Sequence, residues 1–240
     1  ISVRDNGNLT IDDTAGGGTL KAKENDCYAL DVYVYDTKNV ENTKLTINAG
    51  NYVGNVSAVY AFTGKVTING GHFSIQQLSS SNDYRFMLNC YDASYTVGRA
   101  GFTVNGGTFV KFDPSDSASE NPHANFLAEG YGVKQDGDNY IVTEPVAAIG
   151  DTKYPTLAAA IAVADNNTVT LLKDTKEDIT ISGKTITLDL NGKKLTNINN
   201  NTITVANGAS LTVTGTGTVD NVTHGKAAVY NKGTVILAGG

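Results

Sequence analysis

A short motif returns along this chain, and it restricts the fold more than any other feature. A run of apolar residues alternating with Thr leads into Asn, then Gly-Gly or Ala-Gly, and an aromatic residue falls four places after the Asn. The copies are Leu45–Tyr52, Val66–Phe73 and Phe102–Phe109, and a fourth begins at Val235 and runs to Gly240. Alternation over a few residues describes a strand with one buried face. The glycines allow the positive φ that a tight corner needs. Internal repetition of this kind is the mark of a stacked architecture. Stacking the copies puts Tyr52, Phe73 and Phe109 above one another, and Asn48, Asn69 and Asn105 in a ladder of bonded amides.

A second set of alternating runs precedes the motif copies. Leu30, Val32 and Val34 alternate with Asp31, Tyr33 and Tyr35, Val59 and Ala61 with Tyr60 and Phe62, and Leu88 and Cys90 with Asn89 and Tyr91. In the register expected from this pattern, Val34, Ala61 and Cys90 form an inward column, and Tyr35, Phe62 and Tyr91 an outward one. Insertions such as 76–83 leave the stack as loops. The connections lack regular two-residue turns, which argues against a hairpin meander. The economical all-β solution is a right-handed parallel β-helix, in which each coil buries its inside against its neighbours.

The pattern breaks after the third copy. Gly132-Val133 leads through Asp136-Gly137-Asp138 to Tyr140-Ile141-Val142, and Asp-Gly between alternating runs is a hairpin signal. It reads as a cap over an open sheet edge. Glu144-Pro145 reads as a junction. Tyr154–Ala164 is the one segment with helical character, with Leu157, Ile161 and Ala164 on one face. Strands are expected at 169–172, 179–181, 186–190, 203–205 and 211–213. Ile203–Val213 matches Ile1–Ile11 without a gap, an offset of 202 residues. The expected architecture is therefore two incomplete solenoid units in tandem with one short capping helix. Residues 1–145 form coils closed by a hairpin, and 146–240 form the helix-capped start of a second unit. The chain opens directly on a strand-like Ile1-Ser2-Val3, so it reads as a trimmed segment of a longer array.

The run Ile149–Ile161, continuing through Thr168–Asp174 and Ile186–Lys193, resembles the repetitive pectate-lyase-like β-helix modules of large surface proteins from gut bacteria. Gly106–Ser115 followed by Asn125–Tyr131 resembles the closing segment of the same modules. The resemblance implies a bacterial, extracellular, adhesin-like tandem repeat. It implies architecture and says little about chemistry. Similar modules occur in phage fibres.

Composition agrees with a turn-rich β protein: 40% hydrophobic residues, 26 Gly and no Trp. A net charge of −6 and a pI near 5.0 argue against nucleic acid as a partner, which needs clustered Lys and Arg. No apolar run reaches the roughly 20 residues of a membrane-spanning helix. No cofactor motif is present. Cys27 and Cys90 are expected to be free thiols. Two coils separate them by about 10 Å, beyond the disulfide limit of about 7 Å.

Solenoids of this shape host lyases and glycosidases, so outward acids are candidate catalysts. Asp31, Asp36, Asp92 and Asp189 are sparse and read as solvated turn acids. Glycosidase chemistry needs two convergent carboxylates. Asp113, Asp116 and Glu120 are weak candidates for a calcium ion, without the ordered spacing of an EF-hand. His72, His123 and His224 are scattered and suggest no triad. The outward aromatics Tyr33, Tyr35, Tyr60, Phe62 and Tyr91 are the candidate binding surface. They would contact surface glycans or host proteins, or stabilise the sheet as cross-strand pairs. The expected function is a non-catalytic structural or adhesive module. The alternatives are a carbohydrate-active enzyme of β-helix type and a phage fibre segment. Oligomeric state is left open.

Overall fold

The computed structural model describes residues 1–24, 28–35, 37–78, 86–120 and 122–239, with the backbone alone at 37–39. Strand accounts for 47% of the chain and helix for 7%, so the protein is predominantly β. Contacts divide it into two compact units. One comprises Ile1–Ala128 with Val133–Thr143, the other Glu129–Gly132 with Glu144–Gly240.

In the first unit the strands follow one another as β1 (Ser2–Arg4), β2 (Asn8–Ile11), β3 (Thr19–Lys21), β4 (Tyr28–Tyr33), β5 (Lys44–Ile47), β6 (Asn51–Gly54), β7 (Ser57–Ala61), β8 (Gly64–Ile68), β9 (His72–Ile75), β10 (Leu88–Cys90), β11 (Ala100–Val104), β12 (Thr108–Val110), β13 (Gly132–Asp136) and β14 (Asn139–Thr143). Each sheet takes every third strand. The orders are β1-β4-β7-β10, β2-β5-β8-β11 and β3-β6-β9-β12, the last extended by β14 and β13. The nine pairings among β1 to β12 are all parallel.

The motif copies lie across the second and third sheets. Leu45, Val66 and Phe102 share a register position, as do Ile47, Ile68 and Val104. Their side chains are buried because alternation turns them to one face. The glycine two places after the Asn adopts nearly the same left-handed backbone in each copy, with φ of +106° at Gly50, +107° at Gly71 and +107° at Gly107. The first glycine answers a different need. A Cβ on Gly106 would lie 2.2 Å from the carbonyl oxygen of Asn69, in the copy below. The chain then enters the third sheet with its aromatic side chain inward. Tyr52 and Phe73 stack at 5.0 Å, and Phe73 and Phe109 at 4.8 Å. All three rings are buried. Beside them Asn105 Nδ2 donates to Asn69 Oδ1 and Asn69 Nδ2 to Asn48 Oδ1, each at 2.8 Å. Asn48 Nδ2 donates in turn to Asp12 Oδ1 at 2.7 Å, so the ladder ends on a carboxylate.

The first sheet corrects the expected register. Val32, not Val34, pairs with Ala61, and Ala61 pairs with Cys90. The inward column is Val3, Val32, Ala61 and Cys90. A shift of two residues leaves every side chain on its expected face, so alternation cannot detect it.

The three sheets of this unit end in three different ways. On β10, Ser119 Oγ donates to the Leu88 carbonyl and the Cys90 N–H donates to Glu120 Oε1. On β11, Val104 bridges Leu127, with the Val104 N–H on the Phe126 carbonyl and the Ala128 N–H on the Val104 carbonyl. On β12, β14 pairs antiparallel, Tyr140 opposite Phe109. β14 neighbours β13 across the turn at Gly137, whose φ is +58°.

The second unit contains β15 (Ala147–Ile149), β16 (Thr152–Tyr154), β17 (Asn167–Leu171), β18 (Thr175–Lys176), β19 (Ile179–Ile181), β20 (Thr185–Asp189), β21 (Lys193–Thr196), β22 (Ile203–Val205), β23 (Ser210–Thr214), β24 (Gly217–Asp220), β25 (Val229–Asn231) and β26 (Thr234–Leu237). Again each sheet takes every third strand: β17-β20-β23-β26, β18-β21-β24 and β19-β22-β25. These pairings are parallel. β15 and β16 add antiparallel strands to the outer side of β17.

Among the described residues there are two short α-helices rather than one. α1 (Asp92–Thr96) follows β10, and α2 (Leu157–Val163) lies between β16 and β17. α2 is shorter than the expected Tyr154–Ala164, because Tyr154 ends β16 and Thr156 is the N-cap. Leu157, Ala160, Ile161 and Ala164 are buried in a core with Leu171, Ile181 and Leu188.

Candidate functional site

The outward face of the first sheet carries the aromatic residues singled out in the sequence. The register shift rearranges them. Tyr33 stacks on Phe62 with ring centroids 4.3 Å apart, and Phe62 stacks on Tyr91 at 4.5 Å. The column is therefore Tyr33, Phe62 and Tyr91. Tyr35 is not in it: its ring stands beside Tyr33 at 4.5 Å, tilted by 58°, and is 72% exposed. Its backbone N–H donates to Asp5 Oδ1.

Two further members escaped the sequence reading. Arg4 pairs with Tyr33 in register, and its guanidinium carbon lies 4.7 Å from the Tyr33 ring centroid. Since β4 stands between β1 and β7, Tyr33 is held between Arg4 and Phe62, a cation–π contact on one face and a ring on the other. Tyr28 stacks on Tyr60 at 4.5 Å. The alternation of Ile1-Ser2-Val3-Arg4 marks Arg4 as outward, but only the strand pairing brings it to Tyr33.

Asp31 tethers Arg4 through a 3.3 Å ion pair and accepts from Ser2 Oγ at 2.7 Å. Partial burial pushes the Tyr60 phenol up to about 12, with Tyr28, Tyr91, Asp92 and Cys90 adding to it, so it is a hydrogen-bond donor at neutral pH. This geometry limits what the strip can bind. Rings stacked at 4.3–4.5 Å occupy one another's faces. A sugar ring stacks on a face, not an edge. The strip offers ring edges and phenol groups along its length, and its most open ring is Tyr35.

The other candidates are dispersed. Asp113 accepts from the Ser115 N–H and hydroxyl. Asp116 faces His123 Nδ1 at 2.8 Å. Glu120 is only 3% exposed, and its carboxylate is turned to β10. The three acids thus serve three different partners. No group of three or more His, Cys, Asp or Glu residues suited to a metal stands among the described residues. Asp92 opens α1 and Asp189 accepts the Asn191 N–H. His72 and His224 are exposed and lie in different units. Cys90 is a free thiol, buried, and burial pushes its pKa up. Cys27 and Asp36 lie outside the described residues, as does most of the 76–83 loop.

A groove of about 390 Å³ on the β18-β21-β24 sheet is lined by Asp174, Thr175, Lys176, Lys194, Thr196 and Val222. Its two nearby carboxylates are bound to one residue. Asp174 Oδ1 accepts the Lys194 N–H at 2.8 Å, and Asp220 Oδ2 pairs with Lys194 Nζ at 2.8 Å. The hydrogen bond from Lys194 holds the Asp220 carboxyl below its ordinary range. These acids fasten neighbouring strands together. No described helix is long and apolar enough to cross a membrane. Scans against protein-family models, curated proteins and solved structures found no match to this chain.

Proposed function

We propose that this chain is a non-catalytic structural and adhesive module from a repetitive bacterial surface protein, folded as two incomplete right-handed parallel β-solenoid units in tandem. The observation that carries the reading is the strand order: β1 to β12 and β17 to β26 fall into sheets that each take every third strand, in parallel. A chain that winds repeatedly through three sheets produces that order, and right-handed crossovers are the rule for parallel strands. The stacked rings and the Asn ladder, repeated at one motif position, support it.

A solenoid bonded to its neighbours along three sheets is stiff along its axis and suits a stalk. The resemblance of Ile149–Ile161, Thr168–Asp174 and Ile186–Lys193, and of Gly106–Ser115 with Asn125–Tyr131, to pectate-lyase-like surface modules supports an extracellular site. The aromatic strip is first a stabilising ladder, since both faces of Tyr33 and Phe62, and one face each of Tyr91, Tyr60 and Tyr28, are engaged internally. Contact with a glycan or a host protein belongs at its open end, on Tyr35 beside Arg4.

An antibody raised against the chain should label intact source cells, and labelling only after lysis overturns the surface assignment. On a glycan array, Tyr35→Ala should abolish any glycan signal while leaving the thermal midpoint within a few degrees. Phe62→Ala should weaken both signal and stability. Absence of any glycan signal, or a signal unchanged in Tyr35→Ala, removes the adhesive part of the proposal.

A further inference from the structure

The gapless match between Ile1–Ile11 and Ile203–Val213 extends to the backbone. Asn6 and Gly208 occupy the same place in the match, and both are left-handed, with φ of +63° and +77°. One residue later the Gly7 N–H donates to the Arg4 carbonyl, as the Ala209 N–H does to that of Ala206. The Gly7 carbonyl then accepts the Lys44 N–H, as the Ala209 carbonyl accepts that of Thr234, both at 3.0 Å. The two segments are the same structural piece.

Their surroundings differ on one side only. In the second unit β22 pairs with β19 and β23 with β20. Ile203, Val205 and Leu211 are fully buried there. Of their equivalents in the first unit, Val3 is buried too, but Ile1 is 58% exposed and Leu9 is half-buried. A cavity of about 370 Å³ opens between Ile1, Leu9, Ile11, Leu20 and the Tyr52 ring. The second unit therefore displays what fits this face.

We infer that the open edge formed by β1 and β2 is a docking face for a second copy of this chain's own Val146–Thr202 segment, the piece that carries α2 and β15 to β21. The match fixes the join. Thr202 precedes Ile203, so a copy ending in Thr202 leads straight into Ile1 in register. Two new backbone bonds are specified by equivalence. The Ala206 N–H donates to the Ile181 carbonyl at 2.8 Å and the Ser210 N–H to the Lys184 carbonyl at 2.9 Å. Arg4 and Asn8 stand at those positions and take the same carbonyls of the added copy.

The inference rests on the solenoid reading, and one experiment separates the two. Residues 146–202 are joined directly ahead of Ile1 of the full chain, and amide exchange is compared with that of the unextended chain. Slow exchange in β5 and β8 of both chains reports the solenoid itself. Exchange at Arg4 and Asn8 should slow on the order of tenfold or more in the extended chain only. A control with one extra Ser between Thr202 and Ile1 should lose this protection, because a one-residue slip reverses the facing of every side chain. Unchanged exchange at Arg4 and Asn8, or equal protection in the Ser control, overturns the docking inference while leaving the solenoid reading to β5 and β8.

Discussion

Glu120 does the work of a strand at the end of the first sheet. The β10 backbone has an N–H at Cys90 and a carbonyl at Leu88, and the side chains of Glu120 and Ser119 satisfy them. A polar run that reads as a loop or a weak metal site is thus partly buried edge protection. Its role was hidden because the partners lie 30 and 31 residues away. Burial pushes the Glu120 carboxyl above its ordinary value, against the hydrogen bonds from Cys90 and Ser119. Between the ordinary and the raised pKa the folded state holds a proton that the unfolded state has lost. Stability therefore falls as pH rises through that window. Glu120→Gln keeps an acceptor for the Cys90 N–H and carries no charge. Its stability relative to the parent, measured by urea unfolding, should grow from about pH 4 to about pH 7. A difference that stays flat would show that Glu120 does not titrate against its burial. Glu120→Ala leaves the buried N–H unpaired and should cost about 1–3 kcal/mol near pH 4, a cost that shrinks toward pH 7 as the parent loses its own stability.

At the scale of elements, the sequence was most readable where spacing is local. The motif turns, the ring stack, the Asn ladder and the Asp-Gly turn all appear where the pattern puts them. α1 was missed because Asp92-Ala93-Ser94-Tyr95-Thr96 has no apolar face and no side-chain N-cap bond. Lys193–Thr196 and Gly217–Asp220 were missed because Gly, Lys and Asp hide their alternation. The helix expected at Tyr154–Ala164 is present as α2, starting three residues later, at Leu157. Part of what sets that start lies elsewhere in the chain. Thr156 Oγ1 accepts the Ala159 N–H, and Glu177 accepts the N–H groups of Leu157 and Ala158 at 2.8 and 2.9 Å. A helix of only seven residues cannot hold itself together in water, so it depends on these bonds and on its buried face. Thr156→Ala should cost about 0.5–2 kcal/mol. Glu177→Ala should cost a comparable amount, and Glu177→Gln less. The check is denaturant unfolding followed by a probe within the second unit. A Glu177→Ala variant as stable as the parent would mean that water replaces the carboxylate without loss.

For the whole molecule, the decisive information is the cyclic strand order, and no single segment of sequence contains it. Alternation assigns faces and the motif assigns turns, but a two-residue slip satisfies both. The Val32–Ala61 pairing was fixed only by the surrounding strands. The same order creates the molecule's main liability. The edge strands β1 and β2 are unlike β25 and β26, so an edge of one type in one copy can meet the other type in the next. Such a contact is heterologous. Leu237 shows the driving force. It continues the buried Leu188 and Val213 column, since Val213 pairs with it, yet it is 74% exposed. Apolar edges of this kind invite pairing, and lysine on an edge blocks it. The chain should therefore self-associate as its concentration rises. Leu237→Lys removes little buried surface, so it should suppress the association while leaving the thermal midpoint nearly unchanged. Sedimentation velocity over a concentration series reads both forms. Identical behaviour of Leu237→Lys and the parent would show that the open edges do not govern how the copies meet.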